Sequence, residues 1–389
     1  MAVPPFDLRK QLETMGPTLD QAVLEVLHSG QYIGGKVVAR FENAFAQTVG
    51  TAHAVSCNSG TDALILALRA LDVGPGHEVI TTSFSFFATA EAISGVGACP
   101  VFVDVEPGNY LLDLDKVEAA IGPRTRALLP VHLFGCPLNM ERCMAVARRH
   151  GLKVVEDCAQ AAGSRWAGRS VGAWGDVGCF SFFPTKNLAA AGDGGCVTTN
   201  DPRLARRMRE LAVHGMTERY VHNVLGYNSR LDALQAAVLL VKLHHLPALI
   251  RARQRHAAAY GQALDQVDGL ALPTQGVAGH SWNQFVVRIP GAGAQVRNRV
   301  QDALQQQGVH TIIYYPIPIH RQRAYRHLEY GPESLPVTER LAGEVLSLPM
   351  FPELTTAQHG QVVDSLRLAL ETVTDPLQGS SAQGLSMEP

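Results

Sequence analysis

Residues 177–199 read Val-Gly-Cys-Phe-Ser-Phe-Phe-Pro-Thr-Lys-Asn-Leu-Ala-Ala-Ala-Gly-Asp-Gly-Gly-Cys-Val-Thr-Thr. Two apolar runs, Val177–Phe182 and Cys196–Thr199, have the texture of buried strands. About a dozen residues join them, too few for the crossover that parallel neighbours need, so the second strand is expected to run antiparallel to the first. Between them a Pro184-Thr185 turn presents one lysine, Lys186. A lysine among aromatic residues is costly to keep charged, so burial lowers its pKa toward a reactive amine, as Schiff-base chemistry requires. An arbitrary loop lysine is a surface group; what surrounds this one reverses that reading.

Outward from this stretch, five more apolar runs punctuate the first half: His53–Cys57, Glu78–Ser83, Pro100–Val105, Arg126–Leu133 and Lys153–Asp157. Helical periodicity separates them at Asp62–Leu71, Asp115–Ile121 and Asn139–His150. Continuous apolar strands alternating with amphipathic helices describe an α/β domain whose mostly parallel sheet is covered on both faces. Past residue 201 the pattern turns helical, with helices expected at Leu231–Leu246 and Ile250–Val267 and a break near Pro247. A smaller α+β region follows, with strands at Asn283–Ile289 and Val309–Tyr315 around a helix at Gln295–Gln307, and a last helix at Thr356–Thr372. The expected division is a large domain at 1–250, a small domain at 251–374 and a disordered tail at 375–389 rich in Ser, Gly, Gln and Pro.

The chain has 389 residues, 46% hydrophobic and 17% charged, with a net charge of -2. That balance gives no electrostatic reason for nucleic acid or an anionic membrane as partner. The basic clusters Arg203–Arg209 and Arg251–Arg255 have helical spacing and read as solvated helix faces. Seven cysteines without Cys-x-x-Cys spacing read as buried free thiols in a reducing compartment. With no signal-peptide core and no stretch read as a membrane span, a cytoplasmic protein is expected. The fifteen histidines form no His-Glu-x-x-His, so no metal is expected.

Ligands of open α/β sheets gather at the carboxyl ends of strands. Ser56-Cys57-Asn58-Ser59-Gly60-Thr61-Asp62 lies between a strand and a helix and can cradle a phosphate, although the same residues make an ordinary N-cap. Glu156-Asp157 closes an apolar strand, where a buried carboxylate needs a cation or several hydrogen bonds, although an Asp there equally reads as the cap of the next helix. Ser83-Phe84-Ser85-Phe86-Phe87 follows a strand and offers an aromatic to cover a planar ring, core packing being the default for two of its three phenylalanines. An amine, a carboxylate, an aromatic and a phosphate cradle together fit one ligand, pyridoxal 5'-phosphate, whose protonated ring acts as an electron sink.

The strings Asn58-Ser59-Gly60-Thr61-Asp62, Pro130-Val131-His132-Leu133-Phe134-Gly135, Glu156-Asp157-Cys158-Ala159-Gln160 and Phe183-Pro184-Thr185-Lys186-Asn187-Leu188 resemble the DegT/StrS family of nucleotide-sugar aminotransferases. So do Gly192-Asp193-Gly194-Gly195, Tyr227-Asn228-Ser229-Arg230-Leu231-Asp232, Tyr315-Pro316-Ile317-Pro318-Ile319-His320 and Leu346-Ser347-Leu348-Pro349. The resemblance runs from about Phe6 to Val373. It implies the aspartate aminotransferase fold (fold type I), with a seven-stranded cofactor domain, a smaller C-terminal domain and a homodimer with shared active sites. By motif, Lys186 would hold the cofactor covalently and carry the proton, and Asp157 would pair with the pyridine nitrogen. Gln160 would lie near the ring and Phe86 would stack on it. Gly60, Thr61 and Ser181 would hold the phosphate together with Asn228 of the neighbouring subunit. Tyr315 and His320 fall in the loop that would line the substrate pocket.

In this chain Tyr314 stands where the family often has histidine, and Cys158 where alanine is common. The first departure bears on the sugar pocket; the second reads as a core substitution. The leading expectation is transfer of an amino group, from glutamate, to a keto group of a nucleotide-linked deoxy-sugar. A dehydratase-like reaction on a sugar or cyclitol and a non-catalytic regulatory relative are the alternatives. Dehydratase relatives carry histidine in place of the lysine, which Lys186 disfavours.

Overall fold

The computed structural model describes residues 2–374; the tail expected to be disordered lies outside them. Its centre is a seven-stranded sheet of β1 (His53–Cys57), β2 (Glu78–Thr82), β3 (Cys99–Val103), β4 (Thr125–Leu129), β5 (Lys153–Asp157), β6 (Val177–Ser181) and β7 (Gly195–Thr199). The order across the sheet is β1-β7-β6-β5-β4-β2-β3. β7 is antiparallel to both of its neighbours, and the other pairings are parallel. The short link through Lys186 therefore does what its length requires.

Both faces of the sheet are buried, because successive side chains along a strand point to opposite sides. On β6, Val177 and Cys179 join one apolar cluster with Leu64, Ile80 and Leu128, while Phe180 joins another with Phe41, Phe45 and Leu239. Cys196 and Val197 divide in the same way on β7. This explains why the strands read as continuous apolar runs. All seven cysteines are free, six of them buried.

Helices α1 (Arg9–Ser29) and α2 (Gly35–Val49) precede the sheet, and α3 (Gly60–Ala70), α4 (Ala88–Gly95) and α5 (Met140–His150) follow β1, β2 and β4. After α6 (Pro202–Ala212) comes α7 (Ala233–Leu264), one continuous helix with Pro247 inside it. Two helices were expected there. Proline removes one hydrogen bond and costs about 3 kcal/mol. Leu239, Leu243, Leu246 and Ile250 are buried before and just after it, and Ala257, Tyr260 and Leu264 beyond it. Burial of a large apolar side chain is worth ~1.5–3 kcal/mol, so packing along the helix outweighs the break. Reading the helix as two also hid its apolar length: α7 is long and apolar enough to cross a membrane by composition. Half of its most apolar stretch is buried inside the fold, against α1 and α2 among others.

The expected boundary near residue 250 falls within α7, whose first half packs into the sheet's second cluster and whose second half packs into a third. That third cluster surrounds the antiparallel pair β8 (Phe285–Arg288) and β9 (Val345–Leu348), with α8 (Gly293–Gln306) and α10 (Thr356–Thr374); α9 (Pro336–Glu344) leads into β9. The expected strand Val309–Tyr315 is not formed. Val309 and Ile312 make only isolated bridges, to Val3 and Ser347, and the position beside β8 belongs to β9. One arginine also departs from the reading of solvated faces: Arg253 is buried, its Nη1 donating to the carbonyls of Trp282, Asn283 and Met350.

Candidate active site

The antiparallel insertion of β7 brings its start to the edge of the sheet where β1, β2, β5 and β6 end. Ser59–Thr61, Ser83–Phe86, Asp157 and Ser181–Lys186 all lie along that edge.

Ser59 caps α3, its Oγ accepting from the Asp62 amide at 3.1 Å. This leaves the amides of Gly60 and Thr61 without an acceptor among the described residues. Such amides at a helix start attract anions. A β-carbon on Gly60 would stand 2.6 Å from Ser181 Cβ, and one on Gly195 would stand 2.2 Å from the Ser59 carbonyl oxygen. The missing side chains let the helix start close on β6 and β7, forming a cradle with the Ser181 hydroxyl at its side.

Asp157 and Glu156 end β5 on opposite faces. Glu156 is fully buried and accepts from the amides of Gly172, Trp174 and Gly175 at 2.8–2.9 Å. His132 accepts the Leu138 amide on Nδ1, so its Nε2 carries the proton and donates to Glu156 at 3.1 Å. Asp157 accepts from the Ala159 amide at 3.1 Å and from Thr89 Oγ1 at 2.8 Å, and has no ion pair among the described residues. Burial pushes its pKa above the ordinary carboxylate value, against the opposing pull of these two hydrogen bonds and of the Lys186 charge. His132, Glu156 and Cys158 bring ligand-type atoms within 4.8 Å of one another. Their hydrogen-bonding capacity is spent on structure: Glu156 is saturated, both nitrogens of His132 are engaged, and burial holds Cys158 as a neutral thiol.

Lys186 keeps partial solvent access, yet the groups around its amine remove it from bulk water. Desolvation lowers its pKa from 10.5 to about 8, against the attraction of Asp157. The turn beneath it is clamped. Asn187 Nδ2 donates to Ser281 Oγ at 2.9 Å, and Asn283 Nδ2 donates to Asn187 Oδ1 at 3.1 Å and to the Thr185 carbonyl at 3.2 Å. Asn283 and Thr89 were missed in the sequence. Neither sits in a motif, and each acts on a residue far along the chain. Asn187 follows Lys186 directly in the chain, so of the clamp's members it is the one with a local signal.

Gln160 Oε1 accepts from the Phe134 amide at 2.6 Å and its Nε2 donates to Tyr315 Oη at 3.0 Å, which ties two expected site residues together. Phe86 is 58% exposed, its ring centroid 6.3 Å from that of Tyr315. Phe84 is buried, and Phe87 packs against Tyr325. His320 is buried, its ring between Ser83 Oγ at 2.7 Å and Glu339 Oε1 at 3.1 Å, and both ring nitrogens are engaged in fastening the 316–321 loop. Asn228 is exposed, its Oδ1 accepting from Arg230 at 2.7 Å, and no hydrogen bond among the described residues joins it to the other candidates.

Residues 13–367 match the DegT/DnrJ/EryC1/StrS aminotransferase family. The chain belongs to this family. Among its relatives is the UDP-N-acetyl-3-dehydro-alpha-D-glucosamine 3-aminotransferase of Acidithiobacillus ferrooxidans, 46% identical over 95% of this chain and 98% of the relative. A pleiotropic regulatory protein of Geobacillus stearothermophilus is 45% identical over 94% and 98%. Among solved structures, DesV of S. venezuelae, in complex with a ketimine intermediate, superposes with a TM-score of 0.91 at 43% identity, covering 96% of this chain and 99% of DesV. This DegT-family chain is an aminotransferase with the fold type I architecture, and its cofactor is pyridoxal 5'-phosphate. The residues present fit that group: a cradle with open amides for a phosphate, a buried carboxylate lacking a cation, an exposed aromatic face and a desolvated amine.

Proposed function

We propose that this enzyme moves an amino group from glutamate to a keto group of a nucleotide-linked deoxy-sugar. The observation that carries the reading is the desolvated Lys186 amine near a buried Asp157 that forms no ion pair among the described residues. When bound, pyridoxal 5'-phosphate supplies an aldehyde for covalent capture of the amino group and a protonated ring that withdraws electrons from the reacting carbon. Gly60, Thr61 and Ser181 hold its phosphate. Asp157 holds the ring nitrogen protonated, Gln160 lies beside the ring, and Phe86 covers one face. Lys186 would anchor the cofactor, and its amine would be the general acid and base of the transfer. Tyr315, fixed by Gln160, borders the substrate side.

The exposed Asn228 completes the phosphate site of a second subunit in a homodimer, and the enzyme works in the cytoplasm. The division of labour between a cofactor domain up to about residue 250 and a small domain beyond it belongs to the same proposal.

The test is a half-reaction screen. Glutamate alone should bleach the visible absorbance of the bound cofactor, and keto-sugar nucleotides offered one by one should restore it. A holoenzyme that ignores every amino donor would favour the regulatory reading, to which the name of the Geobacillus relative points. A holoenzyme that releases no 2-oxoglutarate yet consumes a sugar nucleotide would favour the dehydratase-like one.

A further inference from the structure

Thr89 Oγ1 lies 2.8 Å from Asp157 Oδ2 and 2.8 Å from Ser85 Oγ, with all three side chains buried. A hydroxyl carries one proton, and an ionised carboxylate only accepts. Thr89 therefore donates to Asp157, and Ser85 donates to Thr89. The direction of the chain is fixed: Ser85, then Thr89, then the carboxylate. It starts next to Phe86 on the loop after β2 and ends at the tip of β5. Thr89 sits in the first turn of α4, where a threonine hydroxyl commonly turns back to its own helix backbone. Here it reaches another strand instead.

We infer that Thr89, backed by Ser85, is a positioning residue that keeps Asp157 ionised and aims its free lone pairs at the ring nitrogen of the cofactor. This rests on the assignment of Asp157 to that nitrogen. Burial alone would neutralise Asp157, and a neutral acid cannot hold a pyridine nitrogen protonated. The other groups facing Asp157 are Lys186, whose charge favours the anion, His132, which accepts the Leu138 amide on Nδ1 and is neutral, and Tyr315, Cys158 and Cys179, which burial keeps neutral. The Lys186 charge is lost once its amine is used, and the His132 Nε2 proton is spent on Glu156. Thr89 supplies the one side-chain hydrogen bond to Asp157 among the described residues. The same link ties the loop carrying Phe86 to the carboxylate at the far end of the ring, so the ring's cover and its anchor are set by one connection.

The test compares Thr89→Val, which keeps the shape and loses the hydroxyl, with Thr89→Ser, which keeps it, and uses Asp157→Asn as reference. Two readouts are independent of turnover: the 15N shift of ring-labelled cofactor in the holoenzyme, and the 13C-carboxyl titration of Asp157 in the apoprotein. In Thr89→Val the ring nitrogen should move toward its unprotonated shift at neutral pH, and the Asp157 midpoint should rise. Loss of a hydrogen bond to a charged group should lower kcat about tenfold. Thr89→Ser should recover all three, and Ser85→Ala should show the same changes at smaller size. A Thr89→Val enzyme with wild-type 15N shift and wild-type titration overturns the relay, whatever its melting temperature. If Asp157→Asn also leaves the ring nitrogen protonated, the assignment of Asp157 has failed and the relay falls with it.

Discussion

A β-carbon on Gly60 would stand 2.6 Å from Ser181 Cβ and 3.2 Å from Ser181 Cα, so the start of α3 and the end of β6 meet where only glycine fits. The close approach sets the Ser181 hydroxyl beside the start of α3. For Gly60→Ala we expect cofactor affinity to fall at least tenfold and the apoprotein to lose ~1–3 kcal/mol through overpacking. Cofactor titration and chemical denaturation check the two separately.

Lys186 titrates at about 8 in the folded protein against an ordinary 10.5. At pH 7 about a tenth of such amines are neutral, against roughly 3 in 10,000 for an unperturbed lysine. Reconstitution of the apoprotein with cofactor should therefore quicken as pH rises toward 8 and then level off, as followed by the growth of visible absorbance. Stability carries the matching sign. Below pH 8 both folded and unfolded chains hold the proton, and the buried charge costs stability. Between about 8 and 10.5 the folded chain has released it and the unfolded chain has not, so stability rises with pH. Apo Lys186→Met should be more stable than wild type at pH 7, with the gap narrowing by pH 9.5.

Adjacent acids should separate cleanly. In Glu156→Gln an amide NH2 would face groups that already donate: three backbone amides and His132 Nε2. We expect a loss of about 3 kcal/mol on denaturation, with the spectrum of the bound cofactor unchanged. Asp157→Asn should do the reverse, leaving the melting temperature near wild type while transamination falls by at least a hundredfold, as expected when a protonated ring is lost.

Asn283 fastens the Thr185 carbonyl and the Asn187 amide from the entry to β8. Removing it should let the lysine turn drift. Misplacement of a reacting group costs roughly tenfold to a hundredfold in rate, so Asn283→Ala should lower kcat while KM for the sugar nucleotide stays within about twofold. Steady-state kinetics with both substrates varied would show it.

Much of this arrangement was legible in the residues. Because both faces of the sheet are buried, its strands stand out as continuous apolar runs, and the short link through Lys186 gave away the antiparallel strand. Gly60, Asp157, Ser181 and Lys186 stand out as candidates because strand ends are where such sheets carry ligands. Val345–Leu348 was not read as a strand, because four residues issuing directly from a helix leave too little pattern. Pro247 misled because a local penalty was weighed without the burial on either side of it.

By itself, the sequence determined the alternation of strands and helices, the lysine's turn and the carboxylate at the end of β5, since these depend on neighbours within a few residues. Only the tertiary structure decided that Thr89 would donate to Asp157, that Asn283 would grip the lysine turn, and that His320 would fasten a loop. Thr89 and Asp157 are 68 positions apart, Asn283 and Thr185 98, and His320 and Ser83 237, and hydrogen bonds over such separations depend on packing that leaves no local pattern in the chain.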